Sequence, residues 1–513
     1  MNGAESLVRT LKAGGVDVCF TNPGTSEMHF VAALDRVDGV RCVLCLFEGV
    51  ATGAADGYAR MADKPASTLL HLGPGLGNGI ANLHNAKKAR SPMVNIVGEH
   101  ATYHVQYDAP LTADIEGTAK PYSHWVKTSA SAATIASDAA DAIAAARTAP
   151  GQIATLIAPA DATWEEGAGI APVPAIPERA KADEAAIMAA AKALKSGEKV
   201  MILLGDKAVR AEPLELAARI AEKTGAGLLA ETSNARMERG QGRVAIERLP
   251  YPVDQAVAVL AEVKHLILIG SRNPVAFFAY PDKPSLIAPE GCNVIMMATP
   301  AEDQPEALAR LADAVGATQK LVIAARERPS IPTGALTPET IGAVVGALLP
   351  ENAIVCDEGV TTGRRFFPST HASGPMDWLQ LSGGAIGVGI PMATGAAVAC
   401  PDRKVVSLQA DGSAMYTVQG LWTQAREKLD VLTLIFSNRS YNILRGELAN
   451  VGANNPGPKA LNMLSLADPD IGWVNLARGL GVDATRVETA ERLAEVMKSA
   501  LRAKGPHLIE VVM

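Results

Sequence analysis

Residues 405–413 read VVSLQADGS, and residues 431–441 read VLTLIFSNRSY. Each stretch begins with an apolar run that predicts a buried strand, and each run is followed by a polar side chain, Asp411 in the first and Asn438 in the second. A helical pattern follows Asp411 from Tyr416 to Lys428. A strand, a polar loop and a helix in this order are typical of an open parallel sheet, which binds ligands at the carboxyl ends of its strands.

These two polar loops predict a site for a diphosphate held through Mg²⁺. The free N–H groups at the start of a helix, here those of Gly412 and Ser413, suit an anion such as a phosphate. The Asp411 carboxylate, the Asn438 side-chain oxygen and the Ser440 carbonyl would supply oxygen ligands to a small hard cation. The alternative is that Asp411 only caps a helix and Asn438 only forms a turn.

Strands and helices alternate along the whole chain. Two stretches rich in proline and glycine, residues 164–177 and 328–334, divide this alternation into three series. The pattern predicts an α/β protein with three doubly wound parallel-sheet domains, at residues 1–165, 183–326 and 336–513. A length of 513 residues agrees with three domains of roughly 150 residues each.

Charge and composition exclude several classes of partner. The formal net charge of −7 provides no basic surface for nucleic acid or for an anionic membrane. Cys42 and Cys45 form one C-x-x-C motif without a second pair to complete a zinc site. The first residues do not resemble a secretory signal, and no apolar stretch is long enough to span a bilayer. We expect a cytoplasmic protein with neither a nucleic acid nor a membrane partner.

The Asp-Gly-Ser sequence at 411–413, with Asn438 following Asp411 by 27 positions, resembles a known cofactor motif. It is similar to the thiamine diphosphate binding motif of the superfamily that includes acetolactate synthase, pyruvate oxidase and benzoylformate decarboxylase, except that Ala410 replaces a glycine. The three predicted domains then correspond to the pyrimidine-binding, central and diphosphate-binding domains of that superfamily. The resemblance implies thiamine diphosphate and Mg²⁺ as cofactors, with Tyr441 also at the cofactor. It further implies at least a homodimer, and commonly a homotetramer.

Two further stretches resemble cofactor-activating elements of the superfamily. Glu48, followed by GAADGYA at 53–59, resembles the glutamate that protonates N1′ of the aminopyrimidine. Residues 384–391, GAIGVGIP, resemble the stretch that folds the cofactor, with Ile386 between its two rings and the Gly384 carbonyl accepting from the 4′-amino group. From the residues alone, a helix N-cap is the safer interpretation of Glu48, and a closely packed helix start is the favoured interpretation of residues 384–391.

Three residues of the first series correspond to active-site residues of benzoylformate decarboxylase. By that resemblance His71 is the active-site histidine, Thr25 keeps the hydroxyl of a serine, and Asn78 matches an asparagine. A lone histidine at a strand end is, however, often structural. The second histidine of that enzyme would fall at residues 277–280, which read FFAY, so we expect the proton relay to differ.

The resemblance also places four residues in the substrate pocket: Pro110, Leu111, Leu444 and Glu447. Leu444 stands where similar pyruvate decarboxylases carry a glutamate, six positions after Asn438. Glu447 is either a polar group of the pocket or a solvated residue of a helix.

Together these features predict an enzyme that cleaves a carbon–carbon bond next to a carbonyl. The leading hypothesis is a thiamine diphosphate and Mg²⁺ dependent decarboxylase of a 2-oxo acid. The alternatives are an acetolactate synthase-type carboligase and a catalytically silent subunit, and the presence of Glu48 argues against silence. We expect no flavin, FAD included, because the segment at 270–300 is too short to cover one. No G-x-G-x-x-G motif supports a hydride-transfer enzyme.

Overall fold

The computed structural model describes residues 1–513, and their strands form three sheets. The strands of the first sheet are β1 (Val18–Thr21), β2 (Arg41–Leu44), β3 (Ala66–Leu70), β4 (Met93–Glu99), β5 (Trp125–Thr128) and β6 (Ile153–Pro159). They are all parallel, in the order β2-β1-β3-β4-β6-β5. The helices of this region are α1 (Gly3–Ala13), α2 (Met28–Arg36), α3 (Glu48–Ala62), α4 (Leu72–Ala89), α5 (Ile115–Ala119), α6 (Ile135–Arg147) and α7 (Ala160–Trp164).

The second sheet lies in the central part of the chain. Its strands are β7 (Val200–Leu204), β8 (Gly227–Ala230), β10 (His265–Ile269) and β11 (Asn293–Ala298), all parallel in the order β11-β10-β7-β8. Strand β9 (Met237–Arg239) belongs to the same stretch of sequence but not to this sheet. The helices here are α8 (Glu184–Leu194), α9 (Ala211–Thr224), α10 (Val253–Leu260) and α11 (Gln304–Val315).

The third sheet has seven strands in the order β16-β17-β15-β14-β12-β13-β9. Besides β9 they are β12 (Ile354–Glu358), β13 (Met376–Gln380), β14 (Val405–Ala410), β15 (Val431–Ser437), β16 (Asp483–Val487) and β17 (His507–Val512). Its helices are α12 (Pro338–Leu348), α13 (Val360–Gly363), α14 (Phe366–Ser369), α15 (Gly389–Ala399), α16 (Asp411–Ala414), α17 (Gly420–Arg426), α18 (Asn442–Asn450), α19 (Pro458–Asn462), α20 (Trp473–Gly479) and α21 (Ala490–Arg502).

Three mostly parallel sheets with their helices confirm the predicted α/β fold class. The only antiparallel strand pair joins β9 to β13, so a piece of the central sequence extends the C-terminal sheet. The boundaries of the three domains stay a prediction. Strand β2 ends at Leu44, and Glu48 is the first residue of α3. None of the helices combines the length and the apolar character that a membrane crossing needs.

Helices α3 and α15 connect the N-terminal and C-terminal sheets at very short range. A Cβ atom at Gly57 would lie 2.1 Å from the Met392 carbonyl oxygen, and one at Gly395 would lie 1.8 Å from the Ala54 carbonyl oxygen. Only glycine fits at such a backbone approach. Ala54 and Met392 belong to one buried apolar cluster that includes residues of both sheets. The small residues after Glu48 therefore position the start of α3 against the C-terminal part of the chain.

Candidate active site

The loops after β14 and β15 lie side by side. The two strands pair in parallel up to Ala410 and Phe436, so Asp411 and Asn438 follow neighbouring strands, as the sequence predicts. Asp411 is buried, and its Oδ1 and Oδ2 accept hydrogen bonds from the N–H groups of Gly412 at 2.8 Å and Arg439 at 2.6 Å. This arrangement collects a carboxylate and an amide oxygen at the carboxyl edge of the sheet.

The surroundings of Asp411 suit a bound cation. Burial raises the pKa of the Asp411 carboxyl group, and the backbone N–H donors oppose that rise. A cation beside this carboxylate would offset the cost of burying its charge. Asn438 Oδ1 accepts only from the Ser440 N–H, at 3.0 Å. The Tyr441 ring covers Gly412, where a Cβ atom would lie 2.5 Å from Tyr441 Cε1.

Glu48 is a buried carboxylate at the head of α3. Its Oε2 accepts a hydrogen bond from Asn78 Nδ2 at 3.0 Å, and the side chain forms no other hydrogen bond. A Cβ atom at Gly75 would lie 3.0 Å from Glu48 Oε1 and 3.3 Å from His71 Cβ. The structure therefore places Glu48 beside Asn78 and His71.

His71 has a partner that the sequence analysis missed, Glu27. Glu27 Oε2 lies 2.8 Å from His71 Nδ1 and accepts from the Gly24 N–H at 2.8 Å, whereas Oε1 has no hydrogen-bond partner. Burial raises the pKa of the Glu27 carboxyl group, and the proximity of His71 opposes the rise. Thr25 begins the short 3₁₀ turn that contains Glu27 and is exposed. The bond from the Gly24 N–H to Glu27 is one half of a capping box, and Gly24 has no side chain to supply the other half.

The stretch before α15 is held from two sides. The Ala385 N–H donates to Asn85 Oδ1 at 3.2 Å, and the Ala385 carbonyl accepts from Asn85 Nδ2 at 2.7 Å. Gly384 on this stretch has a φ of +81°, and Ile386 is half-buried. This backbone is therefore fixed by contacts with α4, the helix that also carries Asn78.

A second carboxylate missed by the sequence analysis, Glu358, binds the other end of this stretch. Its Oε1 accepts from the N–H groups of Gly387 at 2.7 Å and Val388 at 3.3 Å, and its Oε2 accepts from that of Gly389 at 2.8 Å. Burial raises the pKa of Glu358 to about 7 despite these three donors. Glu358 thus occupies the N-terminus of α15 and positions the backbone next to Ile386.

The four residues predicted for the substrate pocket differ in exposure. Pro110, Leu111 and Leu444 are exposed. Glu447 Oε2 is buried without a hydrogen-bond partner. Burial and the nearby Glu447 carboxylate both raise the pKa of Tyr280, burial being the larger cause. Glu447 is half-buried and lies near Tyr280 of the central region, and its place in the substrate pocket stays a prediction.

Two family models match the chain. The model described as "Thiamine pyrophosphate enzyme, N-terminal TPP binding domain" matches residues 1–123, and "Thiamine pyrophosphate enzyme, C-terminal TPP binding domain" matches residues 361–511. The chain belongs to the thiamine pyrophosphate enzyme family. Its relatives make it a thiamine diphosphate-dependent enzyme of the decarboxylase or acetolactate synthase type.

Relatives within this family carry names of both types. A protein of Mycobacterium tuberculosis named "Putative acetolactate synthase large subunit IlvX" is 54% identical, with 100% of this chain and 99% of the relative covered. Benzoylformate decarboxylase of Pseudomonas aeruginosa is 29% identical, with 98% and 97% covered. The solved structure of a thiamine diphosphate-dependent 4-hydroxybenzoylformate decarboxylase from Rhodococcus jostii RHA1 has a TM-score of 0.86 and 27% identity, with 100% and 99% covered.

The residues present fit the family cofactor, thiamine diphosphate. No three His, Cys, Asp or Glu side chains cluster closely enough to hold a metal ion by themselves. A hard cation at Asp411 would therefore take the Asn438 amide oxygen, a backbone carbonyl and phosphate oxygens as its further ligands.

Proposed function

We propose that the protein decarboxylates a small 2-oxo acid, using thiamine diphosphate that Mg²⁺ fixes at Asp411, Asn438 and the Ser440 carbonyl. The observation that carries this proposal is the buried Glu48 carboxylate, oriented by Asn78 and adjacent to the Glu27–His71 pair. A carboxylate kept out of water with a single side-chain donor has capacity left to share a proton with a ring nitrogen. A purely structural N-cap would instead accept from backbone N–H groups of its own helix, which Glu48 does not.

Each side chain of the proposed site has its own role in the reaction. Bound thiamine diphosphate supplies an electron sink for cleavage of the bond next to the carbonyl. Glu48 holds a proton at N1′ of the aminopyrimidine, and Asn78 keeps the carboxylate in place. His71, held by Glu27, donates or accepts a proton at the reacting carbonyl, and the Thr25 hydroxyl lies at the same edge of the sheet.

The C-terminal sheet provides the binding half of the proposed site. The N–H groups of Gly412 and Ser413 lie at the diphosphate end, and the ring of Tyr441 covers Gly412. Gly384 and Ile386 belong to the stretch fixed by Glu358, which suits a role in shaping the cofactor. By family resemblance we include a homodimer at least, and commonly a homotetramer, in the proposal.

Purified protein supplied with thiamine diphosphate and Mg²⁺ tests the reaction. A panel of 2-oxo acids with small, branched and aromatic side chains is incubated with the enzyme, and CO₂, aldehyde and 2-hydroxyketone are measured. We expect CO₂ and aldehyde from at least one member. Absence of CO₂ release from every member would refute the proposal.

The role of Glu48 has its own test. Glu48→Gln keeps the volume and the contact with Asn78 but removes the shared proton. The variant should bind thiamine diphosphate with wild-type affinity, while exchange of the C2 proton of the bound cofactor, followed by NMR, slows at least about a hundredfold. Wild-type exchange in the variant would mean that Glu48 does not activate the cofactor.

A second candidate function is carboligation of the acetolactate synthase type. The observation in its favour is the 54% identity to the M. tuberculosis protein of that name. In the same assay this function would yield a 2-hydroxyketone in an amount that matches CO₂, with little free aldehyde. The ratio of the two products therefore separates the candidates in one experiment.

A further inference from the structure

A basic cavity lies between the N-terminal sheet and the central region, away from the candidate active site. It has a volume of about 330 Å³ and is lined by eight lysine and arginine side chains but only two carboxylates. The chain as a whole has a formal net charge of −7. Positive charge is thus concentrated in one cavity of an otherwise acidic protein, an arrangement that attracts anions.

Five of the eight cations in this cavity have a carboxylate partner: Arg60 pairs with Asp56 at 2.6 Å, Lys64 pairs with Asp17 at 2.5 Å, and three others cluster at Asp63. Asp63 forms ion pairs with three cations of the cavity: Lys207 Nζ at 2.5 Å, Arg236 Nη1 at 3.2 Å and Arg210 Nη2 at 3.3 Å. Glu238, which does not line the cavity, also forms ion pairs with Arg210 and Arg236. Burial and the neighbouring charge of Arg236 lower the pKa of Arg210, which shows how closely like charges are placed.

Three arginines of the cavity have no carboxylate partner. The side chains of Arg90 and Arg147 form neither a hydrogen bond nor an ion pair, and Arg179 donates only to backbone carbonyls, of Pro300 at 2.8 Å and of Glu302 and Pro150 at 3.4 Å. The negative ends of α4 and α6 explain in part why Arg90 follows α4 and why Arg147 is the last residue of α6. They do not explain Arg179, which belongs to the segment between α7 and α8.

We propose that this cavity binds a small phosphorylated ligand with at least two negative charges, and that Arg90, Arg147 and Arg179 are its partners. Guanidinium groups bind phosphate oxygens in pairs, and a phosphorylated ligand carries the two or more negative charges that three arginines without carboxylate partners would neutralise. The volume is at the lower end of the range for small-molecule sites, large enough for a diphosphate or a nucleotide.

The cavity is connected to the candidate active site by two helices. Helix α3 begins at Glu48, and its last turn reaches the cavity at Ala59 and Arg60; helix α4 carries Asn78 and ends at the cavity next to Arg90. With 15 and 18 residues, these helices span roughly 22 and 27 Å. A ligand bound there therefore contacts the C-terminal ends of the two helices that hold the Glu48–Asn78 pair.

Calorimetric titration of the full-length protein, saturated with thiamine diphosphate and Mg²⁺, tests this proposal. Saturation fills the candidate active site, so that added inorganic diphosphate or ADP reports on the second site. We expect saturable binding of at least one of them, weakened by added salt. Preference for ADP identifies a nucleotide, and preference for diphosphate identifies a ligand recognised by its phosphates alone. Absence of saturable binding of both would overturn the proposal.

Variants locate the binding. Arg147→Gln changes an exposed side chain without partners, so its fold should be intact, and Arg90→Gln is combined with it in a double variant. Each loss of a charged donor should weaken binding at least about tenfold. Arg36→Gln, which removes an exposed arginine paired with Glu5 in α1, is the matched control and should bind as the wild type does. Equal affinity in the double variant and the wild type would overturn the assignment.

Discussion

Replacement of Glu358 by glutamine should release the backbone at the start of α15. The carboxylate accepts three backbone N–H groups, whereas an amide has one oxygen and can keep only those of Gly387 and Val388. The Gly389 N–H then faces an NH₂ group. Loss of one hydrogen bond to a charged acceptor costs about 1.5–3 kcal/mol, which corresponds to amide exchange that is roughly 10- to 150-fold faster.

Hydrogen exchange followed by mass spectrometry measures this effect directly. Peptides that cover residues 384–392 are compared between wild type and Glu358→Gln at pH 8, without cofactor. Glu510→Gln is the matched control, because Glu510 is also a buried carboxyl group of the same sheet with a pKa raised chiefly by burial, and it lies on β17. We expect faster exchange at residues 387–389 in Glu358→Gln only. Unchanged protection there would refute the anchoring role of Glu358.

The buried Glu358 carboxyl group also makes the stability of the protein depend on pH. The folded pKa of Glu358 is about 7, above the ordinary value of 4.5, so protonation favours the folded state. Its contribution is fully present below pH 4.5 and is lost as the pH rises through 7, which amounts to about 2 to 3 kcal/mol between pH 5 and pH 8. Glu358→Gln lacks this dependence. The free energy of unfolding of the variant, relative to that of wild type, should therefore rise by about 2 to 3 kcal/mol from pH 5 to pH 8. A difference between variant and wild type that stays constant with pH would contradict the assigned pKa.

Three further outcomes are expected. Asp411→Ala removes a charged oxygen ligand, so the affinity for thiamine diphosphate, titrated with and without a chelator, should fall at least about a hundredfold and lose its metal dependence; wild-type affinity would place the cation elsewhere. Gly24→Ala places a Cβ atom 2.2 Å from His71 Nδ1, so turnover should fall with cofactor affinity unchanged, whereas Gly479→Ala, in open space, should behave as wild type. The absorption spectrum of the purified protein should show no flavin, and stoichiometric flavin would favour an oxidase or a flavin-containing acetolactate synthase.

The parts of the site that sequence patterns predict are those in which the signal is local. Asp411 and Asn438 each follow an apolar run, and parallel pairing of β14 with β15 places the two loops together. Glu48 is marked by the small residues that follow it, which the close packing of α3 on α15 requires. In these cases the sequence feature that marks a functional side chain lies close to it in the sequence.

The parts that sequence patterns missed depend on distant partners. Glu27 lies 44 positions from His71, and Glu358 lies 29 positions from Gly387, so neither carboxylate differs locally from a surface glutamate. The basic cavity is assembled in the same way, from single residues near the ends of several elements. Long-range pairing of polar groups leaves no periodic trace in a sequence, whereas burial of a strand does.

Strand β9 has a practical consequence for any attempt to produce the C-terminal region alone. It pairs with β13, and the buried Arg239 on it lies over the Phe367 ring with 3.6 Å to the centroid and donates to the Phe367 carbonyl at 2.6 Å. A fragment that starts after residue 326 would lack this strand and would expose the backbone edge of β13 beside Trp378. Unprotected edges recruit strands from other molecules, so such a fragment should aggregate unless residues 237–239 are supplied with it.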